Sequence, residues 1–308
     1  MVDADALRPS PPLLRTARTI RLLLTLPAVA LRLLWRVPAA LAAMLVLAAV
    51  PLLVRAPALQ RRVVHRVCRV LCAVLGLRIE RRGACCVGPA LVAANHVSWL
   101  DTVVLVALAD ADGWPAFVAK AEVAAWPVIG PVGRRLGMCF IDRRNRFACY
   151  RALPAIQAQL RRGPVAIFPE GTTTIGAAVA PLHPMLFETA VREGVPVQPV
   201  TLAYRTAEGL PSRAAAFIGD DTLLGSLGRV LVQRELRTVV HWGSPFHAED
   251  RRGFARGTRR RLARTLAALD GAAQGSRADR GMPALPDALS PAAVEPGRGT
   301  AAASTRTA

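Results

Sequence analysis

A short apolar run, residues 90–94, stops at Asn95-His96, and a helical apolar pattern, residues 102–109, starts a few positions later. An uninterrupted apolar run of that length reads as a buried strand, so the chain turns a strand-to-helix corner here. Ser98 followed by Asp101 has the form of a capping box and predicts a helix beginning at Ser98. His96 then lies in the turn and Asp101 in the first turn of the helix. Inside one helix, five residues would separate the two side chains by roughly 140°. Across a strand-turn-helix corner the carboxylate instead reaches back to the imidazole. A carboxylate on one ring nitrogen fixes the tautomer and makes the other nitrogen a better base. Taken alone, the same residues read first as a plain cap and a turn histidine; the company the motif keeps further along the chain overturns that.

After Gly76 short apolar runs alternate with helical patterns. The strands expected are 77–82, 90–94, 116–120, 138–142, 165–169, 197–204, 215–218 and 238–242, with helices near 98–109, 122–136, 146–162, 184–193, 223–234 and 249–269. That alternation predicts an α/β domain with a mixed, largely parallel sheet flanked by helices. From Gly271 onward Ala, Gly, Pro, Ser and Arg dominate with no apolar period, so residues 271–308 are expected to be a disordered tail.

The N-terminal part is different in kind. Between residues 20 and 54 the chain is almost wholly apolar, broken by Arg21, Pro27, Arg32, Arg36, Pro38 and Pro51. Residues 37–54 form 18 uncharged positions, at the short end for a spanning helix. The readings open are a single span, a helical hairpin dipping into one leaflet with both basic ends on one side, a signal peptide, or a buried hydrophobic helix of a soluble core. Arg32 and Arg36 interrupt the apolar region and 19 residues precede it, which favours an anchor over a cleaved signal. The expected division is a flexible stretch 1–19, a membrane anchor 20–55, a globular domain 56–270 and the tail. A further helix near 57–75 carries Arg61, Arg62, Arg66 and Arg69, suited to anionic headgroups.

The formal net charge is +19, with Lys120 the only lysine among 40 basic residues. Residues 1–70 hold 11 arginines against 2 aspartates, so basic excess coincides with the most apolar sequence. This points to an anionic membrane surface, and no zinc-finger, helix-turn-helix or RNA-binding motif supports a nucleic-acid partner. The six cysteines lack C-x-x-C or metal-ligand spacing and read as reduced, apolar fillers, with no metal site expected.

Three more stretches stand at strand ends, where α/β folds gather ligand sites. Phe140-Ile141-Asp142-Arg143 places a guanidinium just past a strand, able to fork onto a phosphate. Phe168-Pro169-Glu170-Gly171-Thr172 leaves a buried strand sharply, with amides and hydroxyls of residues 171–174 lining a polar pocket beside Glu170. Val195-Pro196-Val197-Gln198-Pro199-Val200 suggests a shaped apolar wall.

The order His-x-x-x-x-Asp, Phe-Ile-Asp-Arg, Phe-Pro-Glu-Gly-Thr, Val-Pro-Val-x-Pro-Val resembles the four blocks of the PlsC-like glycerolipid acyltransferases, which include 1-acylglycerol-3-phosphate acyltransferases. The intervening residues 118–123 and Trp126-Pro127 fit as well, and the resemblance covers roughly 56–250. It implies acyl transfer from a thioester, acyl-CoA or acyl carrier protein, to a lysolipid hydroxyl, with no cofactor beyond that co-substrate. His96 would be the general base and Asp101 its support. Arg143, Glu170, Gly171 and Thr172 would bind the acceptor's glycerol phosphate. The acceptor expected first is 1-acylglycerol-3-phosphate, giving phosphatidic acid in phospholipid biosynthesis on the cytosolic face of the inner membrane. One departure widens that choice: Thr173 stands where many members carry Arg. A lyso-ornithine lipid or another lysophospholipid is therefore an alternative acceptor. A non-catalytic lipid-binding protein is the remote one.

Overall fold

The computed structural model describes residues 11–109, 115–142 and 146–278. Two helices lead: α1 (Pro11–Leu53) and α2 (Pro57–Val74). The strands are β1 (Leu77–Arg82), β2 (Leu91–Ala94), β3 (Ala116–Lys120), β4 (Cys139–Ile141), β5 (Val165–Ile167), β6 (Val197–Arg205) and β7 (Leu236–Trp242). Between and after them come α3 (Leu100–Leu108), α4 (Ile129–Arg135), α5 (Arg146–Leu160), α6 (Glu188–Glu193), α7 (Leu223–Leu231) and α8 (Arg251–Ala278). The strands form one seven-stranded sheet in the order β1-β7-β6-β2-β5-β3-β4. Only β6–β7 is antiparallel, so the sheet is mixed and largely parallel, as the alternation predicts.

Period-two alternation along the strands divides the core between two faces. Val92, Ala94, Val200, Leu202 and Val240 point to the face covered by α1, α2, α3 and α7. Leu91, Ala93, Ile167, Val197 and Val239 point to the face covered by α6 and α8, with Ile156 and Leu160 of α5. The connection leaving β2 runs through α3 on the first face. The one leaving its neighbour β5 runs through a 3₁₀ turn (Pro184–Phe187) and α6 on the second. Adjacent parallel strands whose exits diverge to opposite faces leave a crevice at their C-terminal ends, where ligands bind in folds of this class.

The long β6 is buried along its whole length, flanked by β2 and β7. Pro199 is tolerated there because its carbonyl faces Gly243 N (2.9 Å), so its missing N–H lies on the β7 side, just before the ladder begins at Val200–Trp242.

Several expectations need correction. Residues 215–218 are not a strand: Ala215 and Ala216 are buried in a turn, and Phe217 N donates to Val97 O at 3.0 Å. Ala215 and Ala216 are apolar because they plug the core beneath the strand-turn-helix corner, whereas Ile218 is exposed. The helix expected over 122–136 breaks into a 3₁₀ turn (Ala121–Ala125) and α4, because Trp126 precedes a proline and takes an extended ψ of 133°. The helix expected from Ser98 starts at Leu100. Helix α8 continues to Ala278, beyond the expected break at Gly271, and residues 279–308 lie outside the described residues. At the other end, α1 already begins at Pro11, within the stretch expected to be flexible, with prolines at its first positions where no N–H is needed.

Helix α1 runs without a turn through residues 35–38, so the apolar region is one helix and not a hairpin by itself. Its 25-residue segment Leu26–Val50 is long and apolar enough to cross a membrane, an 18-residue window within it having mean hydropathy 2.1. One side, with Arg36, Ala40, Ala43 and Val50, is buried against the domain, while Leu31, Leu34, Leu41 and Leu45 are exposed on the other. The arginines that interrupt the apolar pattern supply the attachment. Arg36 Nη1 donates to the carbonyls of Leu231 (2.9 Å) and Gln233 (2.6 Å), and Arg32 Nη1 to that of Val232 (2.9 Å). Those are the unpaired carbonyls at the end of α7, which favour a cation.

No disulfide joins the five cysteines whose side chains are described, and burial pushes the Cys68 and Cys72 thiols up to about 12, as befits apolar fillers.

Arg36→Met should cost about 1–3 kcal/mol, because buried carbonyls of the α7 terminus lose their donor. Thermal denaturation in detergent checks this; an unchanged midpoint would show that α1 is held by other contacts.

Candidate active site

The parallel register Leu91–Val165, Val92–Ala166, Ala93–Ile167, carried three residues further, brings His96 beside Glu170. Both residues lie just past their strands, in the crevice that the diverging connections leave open.

Asp101 is fully buried in the first turn of α3. Its Oδ2 accepts from His96 Nδ1 (2.8 Å), Val97 N (2.7 Å) and Ser98 N (2.9 Å), and its Oδ1 from Tyr204 Oη (2.7 Å). The bond to Ser98 N is one half of the expected capping box. The other half is replaced, since Asp101 N pairs with Ser98 O at 3.1 Å and the Ser98 hydroxyl accepts from Leu100 N at 3.3 Å. A carboxylate only accepts, so His96 carries its proton on Nδ1 and presents Nε2 as a free lone pair. Among the described residues Nε2 has no partner, and the His96 side chain keeps 19% of its surface exposed. Its ring stacks on Phe168 with centroids 4.1 Å apart and planes 16° from parallel.

Glu170 holds the backbone side of the same histidine. Its Oε1 accepts from His96 N (2.7 Å) and its Oε2 from Ala180 N (2.8 Å). Burial raises its carboxyl above the usual range, against the lowering effect of those two amides. His96 O is held in turn by Thr174 N at 2.8 Å. The loop after Glu170 is therefore tied at both ends to the histidine's peptide. Asn95 locks the adjoining strand, exchanging hydrogen bonds with Leu202 O (2.9 Å) and Leu202 N (2.7 Å).

Gly171 has φ +74°, and a Cβ there would sit 2.8 Å from the His183 ring, so both its conformation and its surroundings require glycine. Thr172 is exposed, and its hydroxyl has no partner among the described residues. The Thr173 hydroxyl donates to Phe217 O and faces the fold rather than the crevice.

Of the residues singled out from the sequence, the structure joins His96, Asp101 and Glu170 by hydrogen bonds, and Gly171 and Thr172 follow Glu170 in the loop. Arg143 lies outside the described residues. The sequence reading missed Tyr204 and the Ala180 amide, and it named Phe168 only as part of its block, without the stacking on His96. Tyr204 had one visible signal: the only hydroxyl-bearing aromatic in a strand otherwise suited to full burial. No group of three or more His, Cys, Asp or Glu side chains placed to hold a metal occurs among the described residues.

Residues 78–203, from β1 through most of β6, match the Acyltransferase family. Over 172 residues the chain is 43% identical to the lyso-ornithine lipid O-acyltransferase of Pseudomonas aeruginosa, covering 56% of this chain and 64% of that one. Another protein of that name, from Brucella abortus, is 32% identical over 64% of this chain and 79% of its own length. The 1-acyl-sn-glycerol-3-phosphate acyltransferase of Neisseria gonorrhoeae is 33% identical over 54% of this chain and 64% of its own. The chain thus spans a little under two thirds of the length of the Pseudomonas and Neisseria relatives. Its fold is that of the 1-acyl-sn-glycerophosphate (LPA) acyltransferase PlsC from Thermotoga maritima, with a TM-score of 0.51 at 20% identity over 76% of this chain and 97% of that one. The protein belongs to the PlsC-type Acyltransferase family.

Because the Glu170 carboxyl is raised by burial, the folded chain binds that proton more tightly than the unfolded one. Its contribution to stability is complete below the ordinary glutamate value of 4.5 and is lost as pH climbs through the raised folded value. The thermal midpoint of the wild type should therefore fall relative to that of Glu170→Gln as pH rises from that value. A constant difference between the two across that range would contradict the assignment.

Proposed function

We propose that the protein transfers a fatty acyl group from a thioester to the free hydroxyl of a lysolipid, with His96 as general base. The single observation that carries this reading is the His96 Nδ1 to Asp101 Oδ2 bond at 2.8 Å, in a carboxylate whose other bonds hold it rigid. His96 Nε2 takes the proton from the acceptor hydroxyl as its oxygen attacks the thioester carbonyl carbon. Asp101 stabilises the imidazolium that forms. When the C–S bond breaks, Nε2 returns the proton to the departing thiolate. The alcohol is itself the nucleophile, so no acyl-enzyme is required. Glu170 fixes the histidine backbone, and Gly171, Thr172 and Arg143 are the acceptor-binding residues of this reading.

For the acceptor, a lyso-ornithine lipid is the better-supported choice. The family position that many members fill with Arg is Thr173 here, and its hydroxyl is turned to Phe217 O. An ornithine headgroup, with one carboxylate and one ammonium, needs less positive charge than a bare phosphate monoester. The names of the Pseudomonas and Brucella relatives point the same way. The second reading is 1-acylglycerol-3-phosphate, the acceptor expected from the sequence blocks and named in the Neisseria relative. The exposed apolar side of α1 would lie in the cytosolic leaflet of the inner membrane, bringing the crevice to lipids whose tails stay in the bilayer.

Free-thiol release and product analysis with purified protein test both parts, using lyso-ornithine lipid and lysophosphatidate with acyl-CoA and acyl carrier protein as donors. Lyso-ornithine lipid should be the faster acceptor, and His96→Ala should lower turnover by about 100- to 10,000-fold while leaving vesicle binding intact. Preference for lysophosphatidate would establish the second reading, and unchanged turnover in His96→Ala would refute the assigned base.

A further inference from the structure

Helix α8 carries a row of arginines that the chemistry above does not use. Arg256, Arg259 and Arg260 line one side of a groove of about 550 Å³ whose other side is formed by residues 177–179, with Ala263 and Leu266 supplying apolar surface. Arg259 Nε donates to Val179 O at 3.3 Å, which lays its guanidinium across the groove. Arg256 and Arg260 are exposed and have no carboxylate partner among the described residues. The one acid of the groove, Asp270, is already neutralised by Arg205 at 2.7 Å. The groove therefore combines unspent positive charge with an apolar lining.

Two placements say what belongs there. First, the groove leads toward the catalytic corner: a small cavity of about 30 Å³ beside Val97 shares Ala177, Leu266 and Asp270 with it. The loop forming its wall is the one tied to His96 O through Thr174 N and to Glu170 Oε2 through Ala180 N. Second, α8 covers the sheet face opposite to α1, so the groove opens on the far side from the exposed apolar helix. A membrane headgroup suits the α1 side; an anion delivered from water suits this one.

We propose that this groove binds the phosphate-bearing arm of the thioester donor, its arginines gripping phosphate and its apolar lining taking the pantetheine chain. The donor and the lipid acceptor then approach His96 from opposite faces of the sheet. The assignment rests on the acyl-transfer reading above. Phosphopantetheine is common to coenzyme A and to carrier proteins, and the test separates those sources.

The experiment uses the full chain in detergent, comparing wild type with Arg256→Glu/Arg260→Glu and with Arg256→Lys/Arg260→Lys. Initial rates give kcat and KM for acyl-CoA, acyl carrier protein and lysolipid. Calorimetry measures binding of coenzyme A and of phosphopantetheinylated carrier protein to each variant in a His96→Ala background. The glutamate pair should raise donor KM about tenfold or more and weaken donor binding in parallel, with kcat and acceptor KM unchanged, while the lysine pair stays near wild type. A rise for both donors assigns the grip to phosphopantetheine, and a rise for acyl-CoA alone to its nucleotide phosphates; either supports the groove. Unchanged donor KM, or a loss that falls on acceptor KM or vesicle binding instead, overturns it. Charge-dependent donor binding with no turnover by the wild type would keep the groove and sink the acyl-transfer reading.

Discussion

The corner is organised by one buried carboxylate. Asp101 gathers two backbone amides, an imidazole and a phenol onto two oxygens, the first three donors from the turn and the phenol from the far strand β6. Burying a charge is tolerable only when it is satisfied in this way. Burial and the adjacent carboxylate push the Tyr204 phenol well above its usual range, so it remains a donor. The carboxylate thus sets the geometry of the turn and the tautomer of the histidine together. Glu170 performs the matching task on the backbone side, so that the same residue is held at its ring by one acid and at its amide by another.

The sheet explains why these groups meet. Because β2 and β5 are parallel neighbours whose continuations leave to opposite faces, their C-terminal ends cannot be covered by either helix layer. Ala93–Ile167 register then fixes His96 against Glu170 with no freedom to slip, since a one-residue shift would turn every buried side chain to the wrong face. The two helix layers differ in character. One ends in α1, apolar on its outer side and held by arginine to the end of α7; the other ends in α8, basic on its outer side.

Much of this was legible before any coordinates. Residues 77–82 and 116–120 form strands at the expected limits, because each is a short β-prone run bounded by turn residues. The pairing of His96 with Asp101 was legible from a strand-turn-helix corner read together with the blocks that follow it along the chain. What could not be read were contacts between residues far apart in sequence. Tyr204 lies 103 residues from Asp101, and only the β6 register delivers its hydroxyl. Residues 215–218 misled for the opposite reason: an apolar run signals a buried strand, and here Ala215 and Ala216 are buried in a turn beneath Val97 while Ile218 is exposed. Arg32 and Arg36 looked like interruptions of an anchor and are instead what fastens it, a role visible only once the α7 carbonyls are in view.

The tautomer of His96 tests the central claim most directly. Nitrogen-15 NMR of histidine-labelled protein at neutral pH should report His96 protonated at Nδ1 with a bare Nε2, and Asp101→Asn should scramble or invert that assignment. A proton resident on Nε2 in the wild type, or an imidazole indifferent to Asp101→Asn, would contradict it.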